Sequence, residues 1–137
     1  MLVLQDLENA LEEFNTKYPR PNLEPLILSE KYNILEDFRR SYPGSQYPGV
    51  YAIFDSKGEL LRIGKASCNS CLGARLSTYF EWHKTEYIGV NKHAGYEDAI
   101  IIRTIKLPTD RGFEAPALEE FLIGKLSPRF NTVGAQK

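Results

Sequence analysis

The sequence predicts an α/β (α+β) domain, a small, mainly antiparallel three-stranded sheet flanked by helices, with two further helices at the N-terminus. Three observations lead there: a pair of strand-length runs joined by a Gly-containing turn, a third apolar run near residue 100, and helical apolar spacing on either side of them. Residues 48–55 (PGVYAIFD) are rich in β-branched and aromatic types, residues 59–66 (ELLRIGKA) form a second run, and Ser56-Lys57-Gly58 supplies the turn of an antiparallel hairpin. Alternation puts Gly49, Tyr51 and Ile53 on one face and Val50, Ala52 and Phe54 on the other. By the same count Arg62 and Gly64 share a face, and Leu61 and Ile63 share the opposite one. A tyrosine and an arginine thereby flank one site. Residues 99–107 (AIIIRTIKL) give a third, buried strand.

The helices follow from periodicity and from their stops. Leu4, Leu7, Leu11 and Phe14 recur at helical spacing with acidic residues enriched early, so residues 2–16 read as an amphipathic helix, ended by Tyr18-Pro19-Arg20-Pro21. A second helix is expected from Ser29 to Arg40, with Tyr32, Leu35 and Phe38 on one face, ending before Tyr42-Pro43-Gly44. A third is expected from Leu72 to Trp82. There Leu72, Leu76, Tyr79, Phe80 and His83 cluster on one side, with Arg75 at the flank and Tyr79 one turn beyond it. In the last helix Pro116 suits the first turn, and Leu118, Phe121, Leu122, Ile123 and Leu126 share one arc. Glu119 falls inside that arc and Glu120 outside it. A buried carboxylate is costly unless it is paired, hydrogen-bonded or metal-bound. Glu119 therefore calls for either an ion pair with Arg75 or Arg103, or a metal.

These elements divide the chain into an N-terminal helical extension, 1–45, packed on the core, and a domain spanning 46–137. The extension either enlarges the core or offers a docking surface for a second copy or a protein partner. Apolar content of 42% and charged content of 26% are ordinary for a globular protein. No apolar stretch has the length of a bilayer span, and Asp6, Glu8, Glu12 and Glu13 occupy the place of a signal peptide's basic and apolar regions; the expectation is a cytoplasmic protein with no membrane partner. The net charge of −1 hides an asymmetry: residues 1–45 carry 5 Lys/Arg and 8 Asp/Glu, whereas residues 46–137 carry 12 and 10. The second part is basic enough to permit a polyanionic partner without demanding one. Cys68 and Cys71 form a CxxC unit that, with His83 and His93, has the composition of a zinc set but not the spacing of a compact finger; two reduced loop thiols are expected.

The tripeptides Gly49-Val50-Tyr51 and Arg62-Ile63-Gly64 are followed by Gly64-Lys65-Ala66, Arg75-Leu76-Ser77-Thr78-Tyr79-Phe80, Ala117-Leu118-Glu119-Glu120-Phe121-Leu122-Ile123 and Pro128-Arg129-Phe130-Asn131. In this order they resemble the GIY-YIG nuclease family over about residues 46–132, looking most like its small bacterial members and the incision domain of the excision-repair nuclease. The resemblance implies a metal-dependent endonuclease that hydrolyses phosphodiester bonds in nucleic acid, DNA foremost, with Mg²⁺ or Mn²⁺ held by Glu119 as the single protein ligand. It implies phosphate contact by Arg75, a catalytic role for Tyr51, and supporting roles for Arg62, Lys65, Tyr79 and Asn131; by their residue types alone the last three read equally as a solvated strand-end lysine, a core tyrosine and a turn-forming asparagine. Arg62 stands where the second tripeptide normally has tyrosine. Arginine cannot accept a proton, and ionising Tyr51 from a reference pKa near 10 costs about 4 kcal/mol at pH 7. Arg62, Lys65 and a metal are expected to favour the tyrosinate. The substitution leaves two readings: a working nuclease, or a catalytically impaired module that binds nucleic acid or a protein.

Overall fold

A computed structural model describes residues 1–83 and 88–131. In chain order the elements are α1 (Leu4–Lys17), β1 (Tyr32–Asn33), β2 (Gly49–Asp55), β3 (Leu60–Ala66), α2 (Leu72–Leu76), β4 (Phe80–His83), β5 (Ile88–Asn91), β6 (Ala99–Lys106) and α3 (Glu114–Leu126), with a 3₁₀ turn at Thr109–Arg111. The main sheet has four antiparallel strands in the order β1-β6-β2-β3, and β4 and β5 form a separate hairpin. The expected mixed α/β class is observed, with the predicted three strands joined by β1. Asp55 closes the β2–β3 turn by accepting the backbone N–H groups of Lys57 and Glu59 on Oδ1, both at 2.9 Å. Gly58 there adopts φ +91°, a conformation that favours glycine.

The alternation along β2 sorts the core into two layers. Val50, Ala52, Phe54 and Ile63 face α1 and α3, burying Leu7, Leu11, Leu118 and Leu122 among aliphatic neighbours. Tyr51 and Ile53 face the other way, toward Tyr32, Leu72, Leu76, Tyr79 and Tyr96. Across the ladder Tyr51 pairs with Gly64 and Ile53 with Arg62, so the tyrosine and the arginine do share a face. Leu61 does not behave as strict alternation predicts. A register shift between Ile53 and Phe54 brings Leu60 opposite Phe54 and turns Leu61 into the Tyr51 layer, away from Ile63.

Two predicted helices are corrected. The expected helix at residues 29–40 is a two-residue strand followed by single turns. Tyr32 and Asn33 pair with Ile102 and Ile101. Asn33 and Asp37 then bind nearby backbone: Asn33 Oδ1 accepts the N–H of Leu35 at 2.8 Å, and Asp37 Oδ2 accepts that of Asn33 at 2.9 Å. The open edge of β6 has a stronger claim on this segment than helical periodicity, because its backbone groups need partners. Ser29 N–H and Thr104 O extend the same contact at 2.8 Å. The N-terminal part is therefore built into the sheet, while α1 packs on α3 and Arg20 bonds Glu114 at 2.8 and 3.0 Å.

The expected helix at 72–82 stops at Leu76. Ser77 Oγ donates to Gly73 O at 2.8 Å and Thr78 Oγ1 to Arg75 O at 2.7 Å, capturing the helix's last carbonyls, and the aromatic run from Phe80 to His83 pairs as β4. Tyr79 and Phe80 are buried as predicted, but from a turn and a strand. Among the described residues, no helix is long and apolar enough to cross a membrane.

Candidate active site

The site grows from the pairing of Tyr51 with Gly64. A Cβ at Gly64 would run into the Tyr51 ring, whose Cε1 lies 2.7 Å from that position, so the glycine exists to let the ring cross the neighbouring strand. Tyr51 is only 1% exposed. Its hydroxyl lies 3.0 Å from that of Tyr79, with the rings edge-to-face at 5.7 Å between centroids. Burial, then the hydrogen bond and charge of Tyr79, hold the Tyr51 phenol well above its usual pKa, and Arg62 and Arg75 offset this only in part. Arg62 and Arg75 favour the tyrosinate as expected, but in the protein alone desolvation outweighs them.

Arg62 lies against the Tyr51, Tyr79 and Tyr96 side chains and makes its electrostatic contacts with them. Among the described residues its Nε is buried without a hydrogen-bond partner. A buried unpaired donor costs about 1–3 kcal/mol, a cost that packing alone gives no reason to retain. Together with Thr78, Tyr79, His93, Ala94 and Tyr96 it lines a shallow groove of about 400 Å³. The groove's far wall is the loop after β5. Asn91 holds that loop through its own side chain, donating to Tyr96 O and accepting the His93 N–H at 2.7 Å. Lys92 N–H bonds Tyr79 O at 2.7 Å, docking the loop on the turn that carries Tyr79.

Glu119, on α3, is half-buried beside the β3 edge. Burial raises its pKa, and Lys65, Arg62 and Arg75 pull in the opposite direction without overcoming it. Among the described residues, none of these three cations closes to an ion pair with it, nor does Arg103, which bonds Ser29 O instead. The proposed structural partners of Glu119 are therefore not made. Elsewhere the guanidinium and ammonium groups of Arg20, Arg111 and Lys125 are paired with carboxylates at 2.6–2.8 Å. Among the described residues Arg62, Lys65 and Arg75 make no salt bridge.

The donor set also restricts any metal. Among the described residues no group of three or more His, Cys, Asp or Glu is gathered. One carboxylate suits Mg²⁺, which keeps most of its waters and shares the rest of its shell with substrate oxygens, and does not suit zinc. Cys68 and Cys71 are free thiols in the loop leading to α2.

Asn131 acts as a surrogate strand. Its Oδ1 accepts the Ile63 N–H at 2.7 Å and its Nδ2 donates to Ile63 O at 2.8 Å, sealing the β3 edge between Arg62 and Gly64. Of the residues singled out in the sequence, Tyr51, Arg62 and Tyr79 converge on the groove, Lys65 and Arg75 act on Glu119, and Asn131 braces the strand between them. Tyr96 and His93 were missed as members of this site. Their only signal was the turn-rich stretch Asn91–Gly95 before β6, which does not say what it folds against. A larger groove of about 740 Å³, lined by Phe14, Tyr18 and Phe121 on the helical layer, shares none of these residues.

This fold and these groups define a GIY-YIG domain, and the family model for the UvrC-like GIY-YIG domain matches residues 47–132: the chain belongs to that family. Among curated relatives it is 35% identical over 86 residues to UvrABC system protein C of Nitratidesulfovibrio vulgaris, covering 63% of this chain and 12% of the relative. It is 35% identical over 91 residues to the protein of that name from Hydrogenovibrio crunogenus (64% and 13%), and 36% over 87 residues to that from Flavobacterium johnsoniae (63% and 13%). The match spans about an eighth of the length of these relatives. No solved structure matches the chain.

Proposed function

We propose that this protein is a nuclease domain that hydrolyses phosphodiester bonds in DNA with the help of a divalent cation. The observation that carries the reading is the half-buried Glu119, without an ion pair among the described residues and within the field of Lys65, Arg62 and Arg75, of which the two arginines also act on Tyr51, in a UvrC-like GIY-YIG domain. Relatives bearing the name UvrABC system protein C support a DNA substrate.

In this reading Arg75, exposed on α2, and Lys65 on β3 engage the non-bridging oxygens of one phosphate, and the planar guanidinium offers two parallel donors. Their charge is worth most in the transition state, where negative charge on the phosphoryl oxygens is greatest. Tyr51 is a positioning residue. Buried beneath the groove, it bonds the hydroxyl of Tyr79, a residue of the groove lining. Glu119 would hold Mg²⁺ or Mn²⁺, which supplies charge neutralisation at the leaving oxygen. Because three cations surround Glu119, a divalent ion binds weakly until a phosphate arrives to offset them.

A second reading rests on Arg62, which occupies the position of a proton-accepting tyrosine and cannot accept a proton. It makes the chain a nucleic-acid-binding module without chemistry. Cleavage of supercoiled plasmid and of flapped oligonucleotides in Mg²⁺ or Mn²⁺ decides between them. Cleavage abolished by Glu119→Ala supports the nuclease. Binding without cleavage, with activity gained by Arg62→Tyr, supports the module.

A further inference from the structure

The hydrolysis proposed above needs a group that takes a proton from the attacking water, and the groove narrows the choice. Arg62 is permanently charged. Tyr51 is buried and held protonated, and burial likewise raises the Tyr96 phenol. Two rings are left: Tyr79, whose hydroxyl is engaged with that of Tyr51 at 3.0 Å, and His93, exposed on the loop between β5 and β6.

His93 is oriented by one bond that also fixes its chemistry. Its Nε2 lies 2.6 Å from the carbonyl oxygen of Thr78. A carbonyl only accepts, so Nε2 carries the hydrogen and the neutral ring has its lone pair on Nδ1. Among the described residues Nδ1 has no hydrogen-bond partner. The loop is held firmly enough to aim it: Lys92 Nζ bonds Ser77 O at 3.0 Å, in addition to the bonds of Asn91 and the Lys92 N–H. The imidazole stands edge-on to Tyr79, with centroids 5.2 Å apart, and to Tyr96 at 6.2 Å. Among the described residues, the titratable and charged groups placed with it are Arg62 from β3, Tyr79 from the turn after α2, and Lys92 and Tyr96 from its own loop.

We propose that His93 is the general base of this site, its Nδ1 accepting the proton of the water that attacks the scissile phosphate. The water oxygen forms a bond to phosphorus as its O–H electrons are released by proton transfer to Nδ1. The opposite P–O bond breaks with its electron pair on the leaving oxygen, which takes a proton from solvent, and the imidazolium returns its proton to solvent. One water and one phosphodiester give a phosphomonoester and an alcohol. The site thereby moves proton acceptance from the Arg62 position to a neighbouring loop, and Arg62 becomes a fixed cation on the groove wall.

The proposal rests on the nuclease reading, and its test separates the two. Single-turnover cleavage of a flapped DNA in Mg²⁺ is followed from about pH 5.5 to 9, the range bracketing imidazole titration, for native protein, His93→Gln and His93→Gly, with DNA affinity measured alongside. The Gln variant keeps an N–H donor for Thr78 O. It is expected to bind DNA as the native protein does and to cleave about 10²–10⁴-fold more slowly, the usual worth of a general base. Added imidazole should restore cleavage by His93→Gly in proportion to its concentration and leave native protein unaffected, a response that a merely structural histidine would not give. His93→Gln cleaving within about threefold of native rate with the same pH profile overturns the assignment while leaving the nuclease intact. Native protein that cleaves nothing overturns both.

Discussion

The two layers of the sheet differ in kind. On the α1/α3 side, Val50, Ala52, Phe54, Ile63, Leu118 and Leu122 meet as pure hydrocarbon. On the other side Tyr51 from β2 meets Tyr79 from the turn after α2 and Tyr96 from the loop before β6, and Arg62 lies among them with an orphaned donor. An aliphatic layer is satisfied by area alone. A layer of tyrosines around an arginine is satisfied only by geometry, and it leaves charge at the rim. The contrast teaches where selection for stability ends and selection for a ligand begins.

Substitutions can break this contrast. Leu122→Ala, in the aliphatic layer, should cost about 2–5 kcal/mol of stability by removing methylenes and leaving a cavity, with cleavage per folded molecule unchanged; urea melts and active-fraction-corrected rates check both halves. Asn131→Ala should cost about 2 kcal/mol, because it strands the Ile63 N–H and C=O at a buried edge, and should lower activity as β3 loosens. Gly64→Ala should cost about 1–3 kcal/mol through overpacking and displace Tyr51, so nucleic-acid binding and cleavage fall together. Arg75→Ala, in contrast, should move stability by less than about 0.5 kcal/mol and reduce the slope of log affinity against log salt by about one phosphate contact.

The smallest effect is one of pH. Glu119 has its folded pKa raised by burial, so the folded state binds its proton more tightly than the unfolded state does. Stability then falls as pH rises through the window from the unfolded value, about 4.3, to the raised folded value, and stays lower above it. Glu119→Gln is therefore expected to melt slightly higher than the native chain at pH 7 and to lose that advantage below about pH 4. Equal shifts at both pH values would remove the burial argument.

Much of the GIY-YIG part was legible because local patterning and tertiary demand agree there. Alternation in residues 49–55 placed Tyr51 correctly, and helical phase singled out Glu119 from Glu120. Disagreement begins where an edge needs filling. Tyr32, Leu35 and Phe38 have helical spacing, yet β6 draws Tyr32 and Asn33 into the sheet and leaves Leu35 exposed. Ser77 and Thr78 end α2 through hydroxyl bonds that no apolar period records. Arg62 was visible as a departure, but its setting among three tyrosines depends on Tyr96. Tyr96 and His93 reach the groove through a loop held by Asn91 and Lys92, and no periodicity encodes such a contact.

The central claim is that the tyrosine-lined layer is a hydrolytic site completed by Glu119. The measurement that tests it most directly is the rate of plasmid nicking by the native chain and by Glu119→Gln, at equal folded concentration, with and without Mg²⁺. The account predicts Mg²⁺-dependent nicking by the native protein and a loss of about a thousandfold or more in the variant, since a metal's charge stabilisation is worth several kcal/mol. Nicking that persists at the native rate in Glu119→Gln, or native protein that binds DNA yet never nicks it, would contradict it.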